Sequence, residues 1–304
     1  MSDLLIDSHP ELRRPILIAA WAGWNDAGES ATGAIRFMQR RWRESPFAHI
    51  DYDPYYDFTQ ARPRVRLEDG VRVLDWPTND FTAHRREGDG PDIILFQGTE
   101  PHLSWRMYAK SMLELCRTFD VSAVITLGAL LAEVSHARPV QVSGSSEDLD
   151  LRIMLALPDN ATSRYEGPTG IVGVFNVVAK EAGLPIASIW GSVPHYVNAS
   201  PNPKGSLAIL EQLNRQLHLD LRLHDLEVFV ARFDAQVAEE IAKNPEMTEY
   251  ARRIEEHQDA EAAGLEGQPP LGASETSAEE LPDAQSMVDE LERFLREQRG
   301  GGDV

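Results

Sequence analysis

The 304-residue chain carries 49 acidic against 29 basic residues, a formal net charge of −20, and that sign opposes the phosphate-backbone contacts on which DNA and RNA affinity rests. No stretch reaches the roughly 18 consecutive apolar residues of a membrane span, and the opening MSDLLIDSHPELRRP lacks the basic-then-apolar order of a secretion signal. A cytoplasmic protein is therefore expected, with neither nucleic acid nor membrane as a partner.

The single Cys116 allows no internal disulfide, and its neighbours Met112, Leu113, Leu115 and Phe119 place it on an apolar helix face as a buried thiol. The acidity is concentrated: residues 225–304 hold 21 acids against 7 bases, −14, while residues 1–224 hold 28 against 22, −6.

In chain order, Pro15 to Trp21 is an unbroken apolar run, the pattern of a strand covered on both faces. Its loop carries Trp24-Asn25-Asp26 and leads into a helix with Ala31, Ala34, Ile35, Met38 and Trp42 on one side. Asn25 and Asp26 fit the caps of that helix, and Trp24 a plug for the core or for a subunit interface. From His49 to Pro77 the pattern turns to β. Arg64–Glu68 and Val71–Asp75 flank Asp69-Gly70, a dipeptide that tolerates the positive φ angles of a tight hairpin. Val65, Leu67, Val71 and Val73 are expected on one face of it, with Arg64, Arg66 and Arg72 on the other.

Two more strand-loop-helix units follow. Asp92–Phe96 leads through Glu100-Pro101-His102 to a helix from about Ser104, the expected N-cap, to Phe119. Val121–Leu127 leads through the loop Gly128-Ala129-Leu130-Leu131 to His136-Ala137-Arg138-Pro139, and the segment Val140 to Leu157 is expected to add antiparallel strands.

The most complete unit runs from Tyr165 to Val197. Thr169 precedes a helical stripe of Ile171, Val172, Val174, Phe175, Val178 and Ala179, and Gly183 ends it. Ile186–Trp190 is a buried strand, expected to stop at Gly191-Ser192, with Val193-Pro194-His195-Tyr196-Val197 as its loop. A further amphipathic helix follows on Leu207, Leu210, Leu213 and Leu217.

Alternating strands and helices specify an α/β fold, a three-layer mixed or parallel sheet sandwiched by helices, with a C-terminal helical appendage. The expected divisions are an α/β domain at 1–224, a helical appendage at 225–258, a flexible acidic linker at 259–282 and an amphipathic docking helix at 283–299. That last helix presents Met287, Val288, Leu291, Phe294 and Leu295 on one face.

Four spaced motifs carry a resemblance: Gly23-Trp24-Asn25-Asp26-Ala27-Gly28, His136-Ala137-Arg138-Pro139, Tyr165-Glu166-Gly167-Pro168-Thr169-Gly170-Ile171 and Val193-Pro194-His195-Tyr196-Val197. Together they resemble the PAC2 family, proteasome assembly chaperone 2 and its archaeal and actinobacterial relatives, over roughly residues 14 to 220. The appended helices are similar to the actinobacterial branch. The resemblance implies a phosphorylase/hydrolase-like fold, similar to purine nucleoside phosphorylase in architecture. It also implies self-association as a homo-oligomer, a trimer being one form, a binding or assembly role, proteasome subunits as partners, and no established enzyme activity. Relatives that engage the proteasome α-ring can do so through a terminal hydrophobic-Tyr-any residue ending. Here Asp303 stands before Val304 where that Tyr belongs, which speaks against insertion of this tail into α-ring pockets.

If the four strands are parallel, their loops bring Asp26, Glu100, His102, His136, Arg138 and His195 to one cleft, with Trp24, Asn25, Tyr165, Thr169 and Tyr196 around it. That is enough for acid/base chemistry or for holding an anion. The opposing reading has His136 and His195 bonded to backbone carbonyls, locking the loops. It also has Gly167-Pro168-Thr169-Gly170 as a turn and cap rather than a phosphate cradle. No histidine lies in a metal-ligand pair, and GxGxxG, GKS/GKT and GxSxG are all missing, so neither metal nor cofactor is expected. Two functions follow: a non-catalytic assembly factor, or a small-molecule enzyme or sensor for a nucleoside-like or phosphate-bearing ligand. They differ in whether the loop residues are committed to internal bonds or left facing a pocket.

Overall fold

The computed structural model describes residues 3–158, 165–197 and 199–262. In chain order the elements are β1 (Leu4–Ile6), β2 (Ile16–Ala22), α1 (Ser30–Trp42), β3 (Pro46–Ile50), β4 (Arg64–Glu68), β5 (Val71–Asp75), β6 (Asn79–His84), β7 (Ile93–Thr99) and α2 (Trp105–Thr118). Then come β8 (Ala123–Ala132), β9 (Gln141–Ser146), α3 (Leu149–Met154), α4 (Ile171–Glu181), β10 (Ile186–Pro194), α5 (Pro203–Leu217), α6 (His224–Ala242) and α7 (Pro245–Ala262). The first compact unit ends at Glu255 and contains every contact discussed below; the described part of the second, 256–262, is the end of α7.

Eight strands form one mixed sheet in the order β1-β3-β6-β7-β2-β8-β10-β9. Its centre, β7-β2-β8-β10, is parallel, and β6 and β9 join it antiparallel on either side. Strand alternation divides β2 between two cores. Leu17, Ala19 and Trp21 pack with α2 and α4 residues such as Met112 and Phe175, while Ile16, Ile18 and Ala20 pack with Ile35 of α1 and Leu210 of α5. Burial on both faces is why β2 reads as a continuous apolar run. Helix α4 buries Ile171, Val172, Phe175 and Ala179. It ends as expected at Gly183, whose φ of 74° lets its N–H reach Lys180 O and the N–H of Leu184 reach Ala179 O, closing a Schellman motif.

Several expectations change. Gly128–Leu131 is not a loop, and β10 does not stop at Gly191-Ser192. The two strands pair with each other as far as Pro194↔Ala132, so each supplies the neighbour that keeps the other extended. A Cβ on Gly191 would lie 3.4 Å from Ile209 Cδ1 of α5, an ordinary van der Waals contact. Segment 140–157 holds one antiparallel strand, β9, and then helix α3, capped by the Asp148 side chain on Leu151 N–H at 2.9 Å. Ser104 occupies the N-cap position of α2 but makes no side-chain cap, its backbone being left-handed at φ 55°. The short strands β1, β3 and β6 lacked a periodic signal long enough to mark them.

The hairpin forms where expected, with φ of 50° at Asp69 and 82° at Gly70. Its faces differ from the expectation for a reason of parity. A two-residue turn pairs Glu68 with Val71, Leu67 with Arg72, Arg66 with Val73 and Val65 with Leu74, so odd residues of β4 share a face with even residues of β5. Val65, Leu67, Arg72 and Leu74 therefore lie together, opposite Arg64, Arg66, Val71 and Val73.

Helices α6 and α7 are joined at Asn244-Pro245, where Asn244 Oδ1 accepts the N–H groups of Glu246 and Met247. Helix α7 continues through residues 259–262, the first four of the stretch read as linker, because Asp-Ala-Glu-Ala favours continuation of a helix already begun. The rest of that stretch and the helix expected at 283–299 lie outside the described residues.

Candidate functional site

The parallel strands β7, β2, β8 and β10 all end at one edge of the sheet, so the loops read as candidates do gather there. Their side chains do not face one common cleft. They divide into groups, each held by its own hydrogen bonds.

Glu100, just after β7, accepts the Trp24 N–H through Oε2 at 3.1 Å and the Ile171 N–H through Oε1 at 2.9 Å. One carboxylate thus ties the β2 loop to the first turn of α4. It occupies the helix N-terminus that a bound phosphate would need. Gly170 makes this fit possible: a Cβ there would lie 1.9 Å from Asn25 Oδ1 and 2.5 Å from Glu100 Oε1. Asn25 Oδ1 is buried and accepts no hydrogen bond among the described residues. The helix cap is Gly170 itself, one residue after Thr169, whose hydroxyl turns to Gly170 O at 3.4 Å. Tyr165 is exposed and its hydroxyl donates to Pro168 O at 3.0 Å, folding the Gly167-Pro168 turn. Replacing Glu100 by Ala removes the acceptor for two backbone donors and is expected to cost about 2 kcal/mol, read as a lower urea midpoint, with Glu100→Gln costing less.

Asp26 turns away from that group. It is only 6% exposed and caps α1, accepting the N–H groups of Ala31 at 2.7 Å and Thr32 at 3.3 Å and the Thr32 hydroxyl. Burial pushes its pKa up to about 6 against the pull of those three bonds. Trp24 is 62% exposed, so it does not fill the core.

His102 Nδ1 accepts the Asp57 N–H at 3.3 Å, and its ring packs edge-on to Tyr56. Hydrogen bonds from the Thr59 and Gln60 side chains hold Asp57 down at about 2. Behind this loop lies a buried network that sequence reading missed. Trp21 Nε1–H donates to the Tyr108 hydroxyl at 3.0 Å, and the hydroxyls of Tyr108 and Tyr56 both reach Asn79 Oδ1 at 2.8 Å.

The remaining histidines share one cluster. The Tyr196 hydroxyl accepts the main-chain N–H of His136 and bonds its Nδ1, both at 2.9 Å, so His136 is held by a phenol rather than by the expected carbonyl. Burial, the largest influence, lowers the His136 pKa, the direction that favours a neutral ring able to accept from the phenol. His195 matches the carbonyl expectation. Its Nδ1–H donates to Ala132 O at 3.0 Å, which leaves Nε2 to accept the Tyr250 hydroxyl of α7 at 3.0 Å.

The helices close over this cluster. Ser135 Oγ–H donates to Glu255 at 2.7 Å, Arg138 reaches Glu255 O at 3.3 Å, and Lys204 pairs with Asp234 at 3.2 Å while donating to His136 O. With Phe233 and Val237 of α6 in place, the space left beside His136 and Arg138 is about 10 Å³, at the threshold for one water.

A larger cavity, about 670 Å³, lies between α4 and the β9–β10 border, and of the candidate residues Tyr165 and Thr169 line it. Ser188 and Asn176 line it, and the buried Thr126 hydroxyl contacts Ser188 Oγ at 2.8 Å while Asn176 Nδ2 donates to the same oxygen at 2.7 Å. The available signal was a Thr and a Ser inside strands otherwise buried and apolar on both faces. Among the described residues there is no cluster of three metal-ligating side chains and no helix long and apolar enough to cross a membrane.

Fold and site together define a mixed-sheet α/β protein whose strand-end loops are locked by internal bonds and roofed by two acidic helices. The PAC2 family profile matches residues 20–241. A PAC2 family protein from Streptomyces avermitilis superimposes with a TM-score of 0.71 at 39% identity, covering 78% of this chain and 99% of that one. A Mycobacterium tuberculosis proteasome-assembly chaperone homologue gives 0.68 at 37% identity, covering 77% and 99%. An archaeal proteasome activator from Pyrococcus furiosus shares the fold at 17% identity, with a TM-score of 0.63 and coverage of 78% and 97%. No curated protein matches. The chain belongs to the PAC2 family.

Proposed function

We propose that this protein is a non-catalytic assembly factor that acts on proteasome subunits through its surfaces. The observation that carries the reading is the commitment of the candidate acid/base groups. Asp26 and Glu100 accept backbone N–H groups, while His136 and His195 are engaged by Tyr196, Tyr250 and Ala132 O. An acid or base must reach a substrate proton, and a group already bonded on its working face must first break that bond. The proteasome link rests on the relative described as a proteasome-assembly chaperone homologue.

Affinity purification of the tagged protein from its native cytoplasm, beside a chain truncated after Glu261, tests this. Recovery of proteasome α or β subunits is the expected result, and their loss on truncation assigns the contact to the C-terminal segment. Recovery of its own subunits alone overturns the proteasome reading.

The cavity beside Asn176 supports a second reading, a small-molecule sensor, since about 670 Å³ lies in the range of ligand pockets. A thermal-shift screen with neutral nucleosides separates the two: a stabilisation removed by Asn176→Leu favours the sensor, and no shift rejects it for that class.

A further inference from the structure

Thr126, Ser188 and Ser145 stand in one row across three neighbouring strands. Register pairs Thr126 of β8 with Ser188 of β10, and Ser188 with Ser145 of β9, so the three hydroxyls share the face of the sheet that carries α4. Hydroxyls on a covered sheet face need partners. Thr126 and Ser188 have theirs, the two oxygens lying 2.8 Å apart while Asn176 Nδ2 donates to Ser188 at 2.7 Å. Ser145 does not. It is half-buried in the wall of the 670 Å³ cavity, and its hydroxyl has no partner among the described residues.

The opposite wall is a second face of α4. Ile171, Val172, Phe175 and Ala179 turn to the core, while Gly173, Asn176, Val177 and Lys180 turn to the cavity. Asn176 gives one amide hydrogen to Ser188 and keeps the other. Gly173 makes room for Thr169, whose Oγ1 would lie 1.9 Å from a Cβ there. Ser145, Asn176 and Thr169 thus bring uncharged donors and acceptors to a cavity whose aliphatic lining is Val177, Leu184 and Ile186. Val177 is 57% exposed and stands open to whatever enters.

The charges around the cavity decide the ligand class. At the rim Lys180 Nζ pairs with Glu147 at 2.6 Å, Asp148 caps α3, and Glu100 fills the N-terminus of α4. An anion therefore meets no uncompensated positive charge, and a cation meets carboxylates that are already engaged. A hydroxyl both donates and accepts, so it suits Ser, Thr and Asn alike. A ring bearing adjacent hydroxyls matches both parts of the lining, its polar edge to Ser145 and Asn176 and its C–H face to Val177.

We propose that this cavity binds a neutral sugar or cyclic polyol. The proposal names a ligand class for the sensor reading of the same cavity and rests on that reading; the assembly role does not depend on it.

Saturation-transfer NMR on the full chain tests it, with ribose, glucose, maltose and myo-inositol as neutral probes beside adenosine, ribose 5-phosphate and glucose 6-phosphate. A saturable signal from at least one neutral probe is expected, with the phosphorylated sugars about tenfold weaker. Ser145→Ala and Asn176→Leu each remove a hydrogen-bonding group and are expected to weaken binding about tenfold. Val177→Trp, at an exposed position outside both core clusters, fills the mouth and abolishes the signal while leaving the thermal midpoint unchanged. Asn176→Leu also opens the Thr126–Ser188 network, so Ser145→Ala and Val177→Trp carry the result if its midpoint falls. No signal from any neutral probe overturns the proposal, as does binding that either Ser145→Ala or Val177→Trp leaves unchanged. Equal or tighter binding of a phosphorylated sugar overturns it as well. Binding of adenosine alone rejects the sugar assignment while the sensor reading stands, and silence from every probe removes both.

Discussion

Replacing Asp26 by Asn is expected to stabilise the protein at neutral pH and to change little below about pH 4. The carboxyl group is buried under the first turn of α1, and burial raises its pKa from 3.8 to about 6. A raised value in the folded state means that folding favours the protonated form. The stability contributed by that form is complete below the unfolded-state pKa. It is then lost as pH rises through the folded-state value, because the unfolded chain gives up its proton first. A shift from 3.8 to about 6 corresponds to about 3 kcal/mol between pH 4 and neutrality. Asn keeps an acceptor oxygen for the N–H groups of Ala31 and Thr32 and offers an amide donor to the Thr32 hydroxyl, without an ionisation to resist. Urea midpoints across pH 4 to 8 measure this: the advantage of the Asn variant grows with pH by about 3 kcal/mol. A constant difference would show that the carboxylate is adequately compensated by its three donors. Asp26→Ala leaves those donors without an acceptor and is expected to lie about 2 kcal/mol below the Asn variant throughout.

That prediction rests on a residue whose position was legible and whose environment was not. Asp26 stands before an amphipathic run, and capping is the local use of an Asp there. Its burial depends on the isolated bridge to Ala129 of β8, more than 100 residues on. The same distinction separates what could and could not be read elsewhere. Apolar runs marked β2, β7 and β8, and the three-and-four spacing marked α1, α4 and α5, because each pattern is complete within one element. Strand length was misread where it depends on a partner. Gly191-Ser192 looks like a stop until Leu130 is found paired with Ser192.

The candidate cleft illustrates the limit more sharply. Parallel strands do bring the four loops to one edge, which topology rules dictate. Glu100 meets the Ile171 N–H, and His195 meets Tyr250, across 71 and 55 residues, and no spacing within a loop encodes those pairings. Tyr250 in particular belongs to a helix that read as an appendage, yet it satisfies the one ring nitrogen of His195 that a reaction would have used. The hairpin was wrong by a single parity step for a related reason. The face of each residue was legible within a strand, while the register between strands is set by the turn.

Removing Asp92 is expected to cost about 3 kcal/mol, with a pH dependence opposite in sign to that of Asp26. The carboxylate is fully buried at the start of β7 and accepts the N–H of Arg13 at 2.7 Å, the N–H of Arg86 at 2.8 Å and the Arg13 guanidinium at 2.8 Å. Burial alone raises its pKa, but the guanidinium and the two N–H groups outweigh that and bring it down to about 2. A depressed value means the stabilisation is present above the ordinary carboxylate pKa and is lost as pH falls through the folded-state value, a window from about pH 4 to pH 2 worth about 2 kcal/mol. Asp92→Ala leaves two backbone donors without their acceptor and takes one partner from Arg13, whose guanidinium keeps Arg86 O and Gly88 O, so its cost at neutral pH exceeds this titration effect. Asp92→Asn keeps an acceptor but loses the charge, and is expected to fall between. Denaturation midpoints at neutral pH and near pH 3 check both parts: the gap between wild type and Asp92→Asn narrows on acidification, and a gap that widens would refute the assignment. Since Asp92 lies at the amino end of β7, opposite the loops and the helices that roof them, the folded fraction of Asp92→Ala should recover the same partners as wild type, whereas Glu100→Ala alters the edge itself.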